Sequence, residues 1–559
     1  MGVFVRSQHL GWFQRGEAVF LYHELYGFLL EMSADLKAIV DAFAQPVDHS
    51  LVVDQFADKF SIAQMNEFLS VFGQYRALVA PDVQELDGLV ESVPIKGPWI
   101  VAAREADATV TAVTSRGFGP EPYAQPQIVK MDPWQADLWR SIDGEKTVRR
   151  LAANLTELYD GDPQQDLGRA VVSIAGWTHS SRQLTRVLLK PRSQFQRLPP
   201  YVTSTMPYAP LSDTPAPPVD PRTRNLDAYH EGTIADAEAQ FDELETTLSH
   251  LFSDPHPALA DRTYAQTFAG VARDRGWVAP DRAQVVEVGG GTGRFAAGMV
   301  ESLRDLAGLH YKVVELAPAL QAAQQERLAP FGALAESVRG HAEDLQLPES
   351  SVDFLISNEM IADLRMGFVT RDSLQKGRPD DETDPEALAL IQQYGLDTQQ
   401  APEPVPVQVG ATRLVERLAK VLKPGGTAVL TEFGGEKQFP IESTQLEHAE
   451  WSVHFGHLRK VAGVLGLQAT LEPLPEFLKL RGDVWVLATT RTQFRNLRHL
   501  VRLHGGDLQK RAMTPEQFAL ACGGHLRPDS IEGVQFRPCG ERVMGLVPSE
   551  FQVLVLRRG

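Results

Sequence analysis

Gln284-Val-Val-Glu-Val-Gly-Gly-Gly-Thr-Gly-Arg-Phe295 is the stretch of the chain best suited to holding a small molecule. Val285 to Val288 is an apolar run that reads as a buried strand, and the glycines behind it turn the chain tightly into a helix from Phe295 to Leu303. Spacing matters more here than the number of glycines. A dinucleotide-binding GxGxxG counted from Gly289 needs a glycine at position 294, where the chain has Arg294; the pattern is instead Glu287-x-Gly289-x-Gly291-x-Gly293. A second apolar strand, Lys312-Val-Val-Glu-Leu316, ends in the acid Glu315. Two more apolar runs end in polar residues, Ser351 to Ile356 ahead of Asn358 and Glu359, and Ala428-Val-Leu-Thr-Glu432. In a doubly wound fold the carboxyl ends of the strands form the ligand crevice, so Asn358, Glu359 and Glu432 gather there. Carboxylates so placed hold a guanidinium or ammonium, or take the proton it loses; the other reading is that they cap neighbouring helices.

The elements that must position these residues follow from punctuation and composition. A chain of 559 residues exceeds what one hydrophobic core supports and argues for three or four domains. Its 43% apolar and 23% charged residues are those of a folded globular protein. With 54 Lys and Arg against 72 Asp and Glu, a net charge of −18 disfavours nucleic acid and anionic membranes as partners. The two cysteines, Cys522 and Cys539, are too few for a disulfide framework or a Cys-rich zinc site, which points to the cytoplasm. No apolar run is long enough to span a bilayer, and Met1 to Arg15 lacks a basic region followed by an apolar core. The prolines between Pro199 and Arg224 mark a linker. Downstream, strand and helix patterns alternate, the signature of a parallel α/β sheet. The expected division is 1–95 and 96–198 as two small modules, 199–229 as linker, 230–490 as the α/β domain and 491–559 as a C-terminal α+β appendage. Ile234, Phe241, Leu244, Leu248 and Leu251 predict a bracing helix ahead of the α/β domain. Arg371 to Val407 interrupts that domain between its fourth and fifth strands, as a substrate cover or a solvated loop. His448, His454 and His457 border the apolar stripe of one helix, and no metal site is expected from them.

The glycine pattern resembles motif I of the class I S-adenosylmethionine-dependent methyltransferases. That resemblance implies a doubly wound Rossmann-like sheet with S-adenosyl-L-methionine as cofactor. It implies that Glu287, Gly289, Gly291 and Gly293 bind its methionine part and that Glu315 accepts both ribose hydroxyls. The family carries an acid after the glycine of Gly340-His-Ala-Glu-Asp-Leu345 to bind the adenine amino group; here that place is His341, leaving Glu343 or Asp344 as substitutes. Leu422-Lys-Pro-Gly-Gly-Thr427 resembles the family's turn into its fifth strand. Within this class, Val314-Glu-Leu-Ala-Pro-Ala-Leu320, Gln324-Gln-Glu-Arg-Leu328, Ser357-Asn-Glu359, His454 to Val461 and Pro475-Glu-Phe-Leu478 resemble the MidA family, which includes a mitochondrial complex I assembly methyltransferase that modifies a protein arginine. The family's Asp-Ala-Leu-Pro after Asn-Glu is not kept, since the chain reads Met360-Ile-Ala-Asp-Leu-Arg365, and its Asp-Tyr-Gly is Glu432-Phe-Gly434. The strand-end crevice, not this resemblance, makes Asn358 a residue of both cofactor binding and catalysis and Glu359 and Glu432 catalytic, for a basic or hydroxyl acceptor.

Upstream, a β-rich run from Gly16 to His23 and the stretch Tyr26 to Leu30 precede three helical patterns, the first capped by Ser33 with a stripe of Leu36, Ile39, Val40 and Phe43. A short sheet followed by three helices resembles the winged-helix-like PqqD domain, the recognition element of peptide-modifying enzymes. A looser echo begins near Tyr123, with Ile128 to Met131 and a helix bearing Trp134, Leu138 and Ile142. The resemblances together imply methylation of a peptide or protein side chain, such as a precursor peptide brought in by the N-terminal modules. The alternatives are a small-molecule methyltransferase and a cofactor-binding assembly protein without turnover.

Overall fold

The computed structural model describes residues 2–559 apart from 16–17, 24, 27–28, 83–87, 98, 115–126, 179–186, 192–208, 211–245, 446–447 and 525. The chain forms two compact units: Met1–Asp220 with Thr492–Leu508 and Phe518–Val534, and Pro221–Arg491 with Gln509–Gln517 and Gln535–Gly559.

The second unit is built on one sheet. Its seven principal strands are β1 (Gln284–Val288), β2 (His310–Glu315), β3 (Ala335–Arg339), β4 (Val352–Asn358), β5 (Leu422–Gly435), β6 (Leu467–Pro473) and β7 (Phe551–Arg558), in the order β3-β2-β1-β4-β5-β7-β6. The first five are parallel, and β7 runs antiparallel between β5 and β6. The order reverses between β1 and β4, so the crevice of a doubly wound sheet opens over these strands' carboxyl ends. The flanking helices are α1 (Tyr264–Asp274), α2 (Arg294–Leu303), α3 (Pro318–Leu328), α4 (Val409–Val421) and α5 (Phe455–Val464). Thr263 and Gln266 start α1 with a reciprocal capping box. Leu414 and Leu418 of α4 and Leu458 and Val461 of α5 share a core with Leu355, Leu430 and Leu554 of the sheet.

The expected C-terminal appendage does not exist as a separate body. Phe551–Arg558 is the seventh strand of the sheet, and its Val553 to Leu556 are buried because neighbours pair on both sides. Thr492–Leu508 and Phe518–Val534 belong to the N-terminal unit. The Arg371 to Val407 stretch is a built insertion: Gly367–Val369 pairs with Val405–Val407, enclosing the helices Arg371–Lys376 and Pro385–Tyr394. Of the expected brace, Leu248 and Leu251 lie in the short helix Leu248–Leu251, while Ile234, Phe241 and Leu244 fall outside the described residues, as does most of the Pro199 to Arg224 linker.

The N-terminal unit contains one element order twice. Val3–Arg6, a meander of Leu10–Arg15, Ala18–His23 and Leu29–Met32, three helices (Ala34–Asp41, His49–Gln55, Ile62–Gln74) and Leu78–Val79 make the first run. Ser92–Lys96, a meander of Val101–Arg104, Val110–Thr114 and Gln127–Met131, three helices (Pro133–Ser141, Val148–Tyr159, Pro163–Thr178) and Val187–Pro191 make the second. The repeat thus starts at Ser92, upstream of the echo near Tyr123, a residue outside the described set. Among the described residues no helix is long and apolar enough to cross a membrane.

Candidate active site

An open cleft of about 850 Å³, counted out to its mouth, lies over the carboxyl ends of β1, β2 and β4. Its floor is the glycine turn. Gly289, Gly291 and Gly293 take φ of +74°, +51° and +77°, a backbone that side chains oppose, and a Cβ on Gly289 would stand 2.4 Å from Met360 Cγ. Glu287 and Glu315 complete this wall, both lining the cleft and both nearly buried.

Each of these acids is fixed by partners of its own. Tyr311 Oη donates to Glu287 Oε2 at 2.6 Å. Glu315 Oε1 accepts the N–H groups of Leu316 and Ala317 at 2.9 and 3.0 Å, and Oε2 accepts Gln324 Nε2 at 2.9 Å. Burial pushes both carboxyls up to about 7; the hydrogen bonds pull the other way, and the charge of Glu315 adds to the rise at Glu287.

Gln324 escaped the sequence reading. It is fully buried, donates to Gly291 O at 2.7 Å and accepts from Ser337 Oγ at 2.6 Å, so it ties the glycine turn to Glu315. The signal was present: Leu320, Gln324 and Leu328 share the buried face of α3, and an amide in a leucine stripe needs buried polar partners. Arg327 Nη1 likewise holds Thr292 O and Oγ1, at 2.7 and 3.0 Å.

The opposite wall carries Asn358, Glu359, Met360 and Asp363 with Thr247, Ser249 and His250. Asn358 Oδ1 accepts from both Tyr264 Oη (2.8 Å) and Thr431 Oγ1 (2.9 Å), so its amide turns the Nδ2 donors toward Ser249 Oγ and Glu359. Burial raises the Tyr264 pKa well above its ordinary value and keeps that hydroxyl a donor. Glu359 sits at φ +52°, and its two carboxylate oxygens accept the N–H groups of Leu248 and Ser249 at 2.9 and 3.2 Å. Those are the first two residues of a helix, so Glu359 acts as a cap from outside.

Four expected site residues are not in the cleft lining: Gly293, at the start of α2, and Glu432, Glu343 and Asp344. Successive strand residues point to opposite faces, so with Thr431 turned to Asn358 the side chain of Glu432 goes the other way. There it is buried, accepting the N–H groups of Phe433 (2.9 Å) and Ala362 (3.2 Å), and burial holds its pKa well above the ordinary range. Glu343 Oε1 accepts the Arg365 N–H at 3.2 Å, and the exposed Asp344 pairs with Arg417. His341 Nδ1 receives the Glu343 N–H. His454 and His457 stack at 3.7 Å, and His457 Nε2 contacts Asp397 O.

A family model described as "Putative S-adenosyl-L-methionine-dependent methyltransferase" matches residues 265–446, the stretch that contains the glycine turn and strands β1 to β5. These residues form a methyltransferase domain. It is a SAM-dependent methyltransferase domain, with S-adenosyl-L-methionine as its cofactor. Among solved structures, a Burkholderia thailandensis protein bound to S-adenosyl-homocysteine is 17% identical, with 62% of this chain and 95% of that one covered and a TM-score of 0.32. Phosphoethanolamine N-methyltransferase 2 of Haemonchus contortus, with S-adenosyl-L-methionine, is 12% identical over 60% of each chain, with a TM-score of 0.32. No curated protein matches the chain.

Proposed function

We propose that this methyltransferase acts in the cytoplasm on a peptide or protein side chain that its N-terminal unit recruits. The cofactor supplies a methyl group already activated on a sulfonium, so the chain's task is mostly to bind and align. Gly289, Gly291 and Gly293 give the close backbone approach, Glu287 closes the strand end, and Glu315 holds the ribose hydroxyls. The observation that carries this reading is Glu315, a buried carboxylate immobilised by three N–H donors at the lip of the glycine turn. Asn358, Glu359 and Asp363 make the opposite wall polar and acidic, which suits a basic acceptor. Glu432 is set aside as a base because it does not line the cleft, whereas Glu359 lines it with each oxygen accepting one helix N–H. The PqqD-like order of a meander and three helices supports peptide recruitment.

Labelling a lysate with methyl-radioactive cofactor and full-length enzyme tests the proposal. Label in peptides or proteins is expected. Label confined to small molecules favours the metabolite reading, and no label at all favours the assembly protein.

A further inference from the structure

Part of the cleft wall is a single turn of helix, Leu248–Leu251. Thr247, Ser249 and His250 line the cleft, while Leu248 and Leu251 are buried. Ser249 also lines a second open cavity of about 930 Å³, counted out to its mouth, so the turn is a partition between two cavities. A helix this short has no stability of its own, because nucleation costs more than one turn of bonds returns. What holds it in place must come from outside it. Beyond its far end, Leu251 O accepts the Ala512 N–H at 2.9 Å, Phe252 O accepts that of Tyr264 at 2.8 Å, and Asp254 pairs with Arg511.

Its start is held from the tip of β4. The first internal bond runs from the Leu251 N–H to Thr247 O, so the N–H groups of Leu248, Ser249 and His250 need partners elsewhere. Thr247 Oγ1 accepts the His250 N–H at 3.1 Å, and the other two go to the two oxygens of Glu359. Asn358 reaches the same place, with Nδ2 donating to Ser249 Oγ at 3.2 Å. Two neighbours in sequence thus converge on two neighbours of the turn. Glu359 does so from φ +52°, a backbone that glycine adopts without strain, and its own N–H is pinned to Thr431 O at 3.0 Å. A glutamate kept in a glycine conformation argues for a use of its carboxylate.

We infer that Asn358 and Glu359 are positioning residues that latch the Leu248–Leu251 turn against the cleft, and that release of this latch sets how long the cofactor stays bound. The two residues then serve the reaction without either acting as a base. The inference rests on the reading of this cleft as the cofactor's.

The test uses full-length protein, S-adenosylhomocysteine as the probe, and two variants. Glu359→Gly relieves the backbone and removes the carboxylate, whereas Glu359→Gln keeps the length and one accepting oxygen. Amide exchange at Leu248 and Ser249 and the dissociation rate of S-adenosylhomocysteine are measured, beside melting temperatures that confirm both variants fold. Those two N–H groups have no acceptor within their own helix, so Glu359→Gly should speed their exchange about tenfold or more, the worth of losing hydrogen bonds to a charged group. Dissociation should quicken by a similar factor, and Glu359→Gln should fall between wild type and Glu359→Gly in both measurements. Exchange as slow in Glu359→Gly as in wild type would overturn the latch. Faster exchange with dissociation unchanged would leave Glu359 a helix cap and nothing more, and would overturn the inference. Faster dissociation with exchange unchanged would overturn it too, by making Glu359 a direct contact of the ligand. Wild-type protein that binds no S-adenosylhomocysteine would take away the cofactor reading of the cleft, and the inference with it, a failure distinct from the other three.

Discussion

The two walls of the cleft use the same residue type for different work. On the β1–β2 side, Glu287 and Glu315 line the cavity, and their partners are side chains and turn amides that fix them there. On the β4–β5 side, Glu359 caps a helix and Glu432 is turned away beneath the turn after β4. A strand-terminal glutamate is therefore not a functional signal by itself. Strand parity and the nearest unsatisfied N–H groups decide whether its charge reaches the cleft or is absorbed by backbone.

If the first wall holds the cofactor, its backbone should be the most sensitive point. Gly291→Val puts a β-branched side chain at φ +51°, where such residues are genuine outliers, and disturbs the carbonyl that Gln324 grips. Loss of measurable S-adenosylhomocysteine binding by calorimetry is expected. Retained affinity would remove the glycine turn from the site. Next in size is Glu315→Ala. Hydrogen bonds to a charged group contribute on the order of 1.5 to 3 kcal/mol each, so losing the ribose acceptor should weaken S-adenosylhomocysteine at least about tenfold. An unchanged dissociation constant would move the ribose contact elsewhere.

How far these walls were legible follows from what each signal depends on. The glycine turn and the acid of β2 are local: a strand, a forced turn and a strand end can be read in a dozen residues. Strands β1, β2, β4 and the apolar stretch of β5 were readable because each is an apolar run closed by a turn, whereas β3, Ala335-Glu-Ser-Val-Arg339, has no such run. Strand β7 was not, because Val553-Leu-Val-Leu556 gains its meaning only from neighbours far back in the sequence, on β5 and β6. The fates of Glu359 and Glu432 were equally non-local, since the N–H groups they accept belong to Leu248, Ser249 and Ala362. Gln324 was legible in principle, as a polar break in a buried leucine stripe.

A pH series sharpens the contrast between the walls by a smaller effect. Glu287 and Glu315 are both pushed up to about 7 from an ordinary 4.5. They hold a proton more tightly folded than unfolded, so their contribution to stability is complete below about 4.5 and is lost as pH rises through about 7. Cofactor binding should move the opposite way, because an ionised Glu315 is the better acceptor of two hydroxyls. S-adenosylhomocysteine affinity is expected to rise severalfold between about pH 6 and pH 8, by titration calorimetry, and Glu315→Gln should flatten the rise. A slope that survives in Glu315→Gln assigns the titration to Glu287.

The smallest expected effect on the cofactor belongs to Glu432. Its carboxyl is buried, with its pKa raised by that burial, and is bonded to the N–H groups of Phe433 and Ala362, outside the cleft lining. Glu432→Gln keeps the size but leaves one of those N–H groups facing an amide donor, a buried mismatch costing about 1 to 3 kcal/mol. In a domain of this size that lowers the melting temperature by roughly 2 to 8 °C. S-adenosylhomocysteine affinity should not change, and neither should the methyl-transfer rate once temperature is kept well below melting. A large fall in rate with affinity and fold intact would return Glu432 to the chemistry, and would mean that the β5 tip rearranges when the acceptor binds.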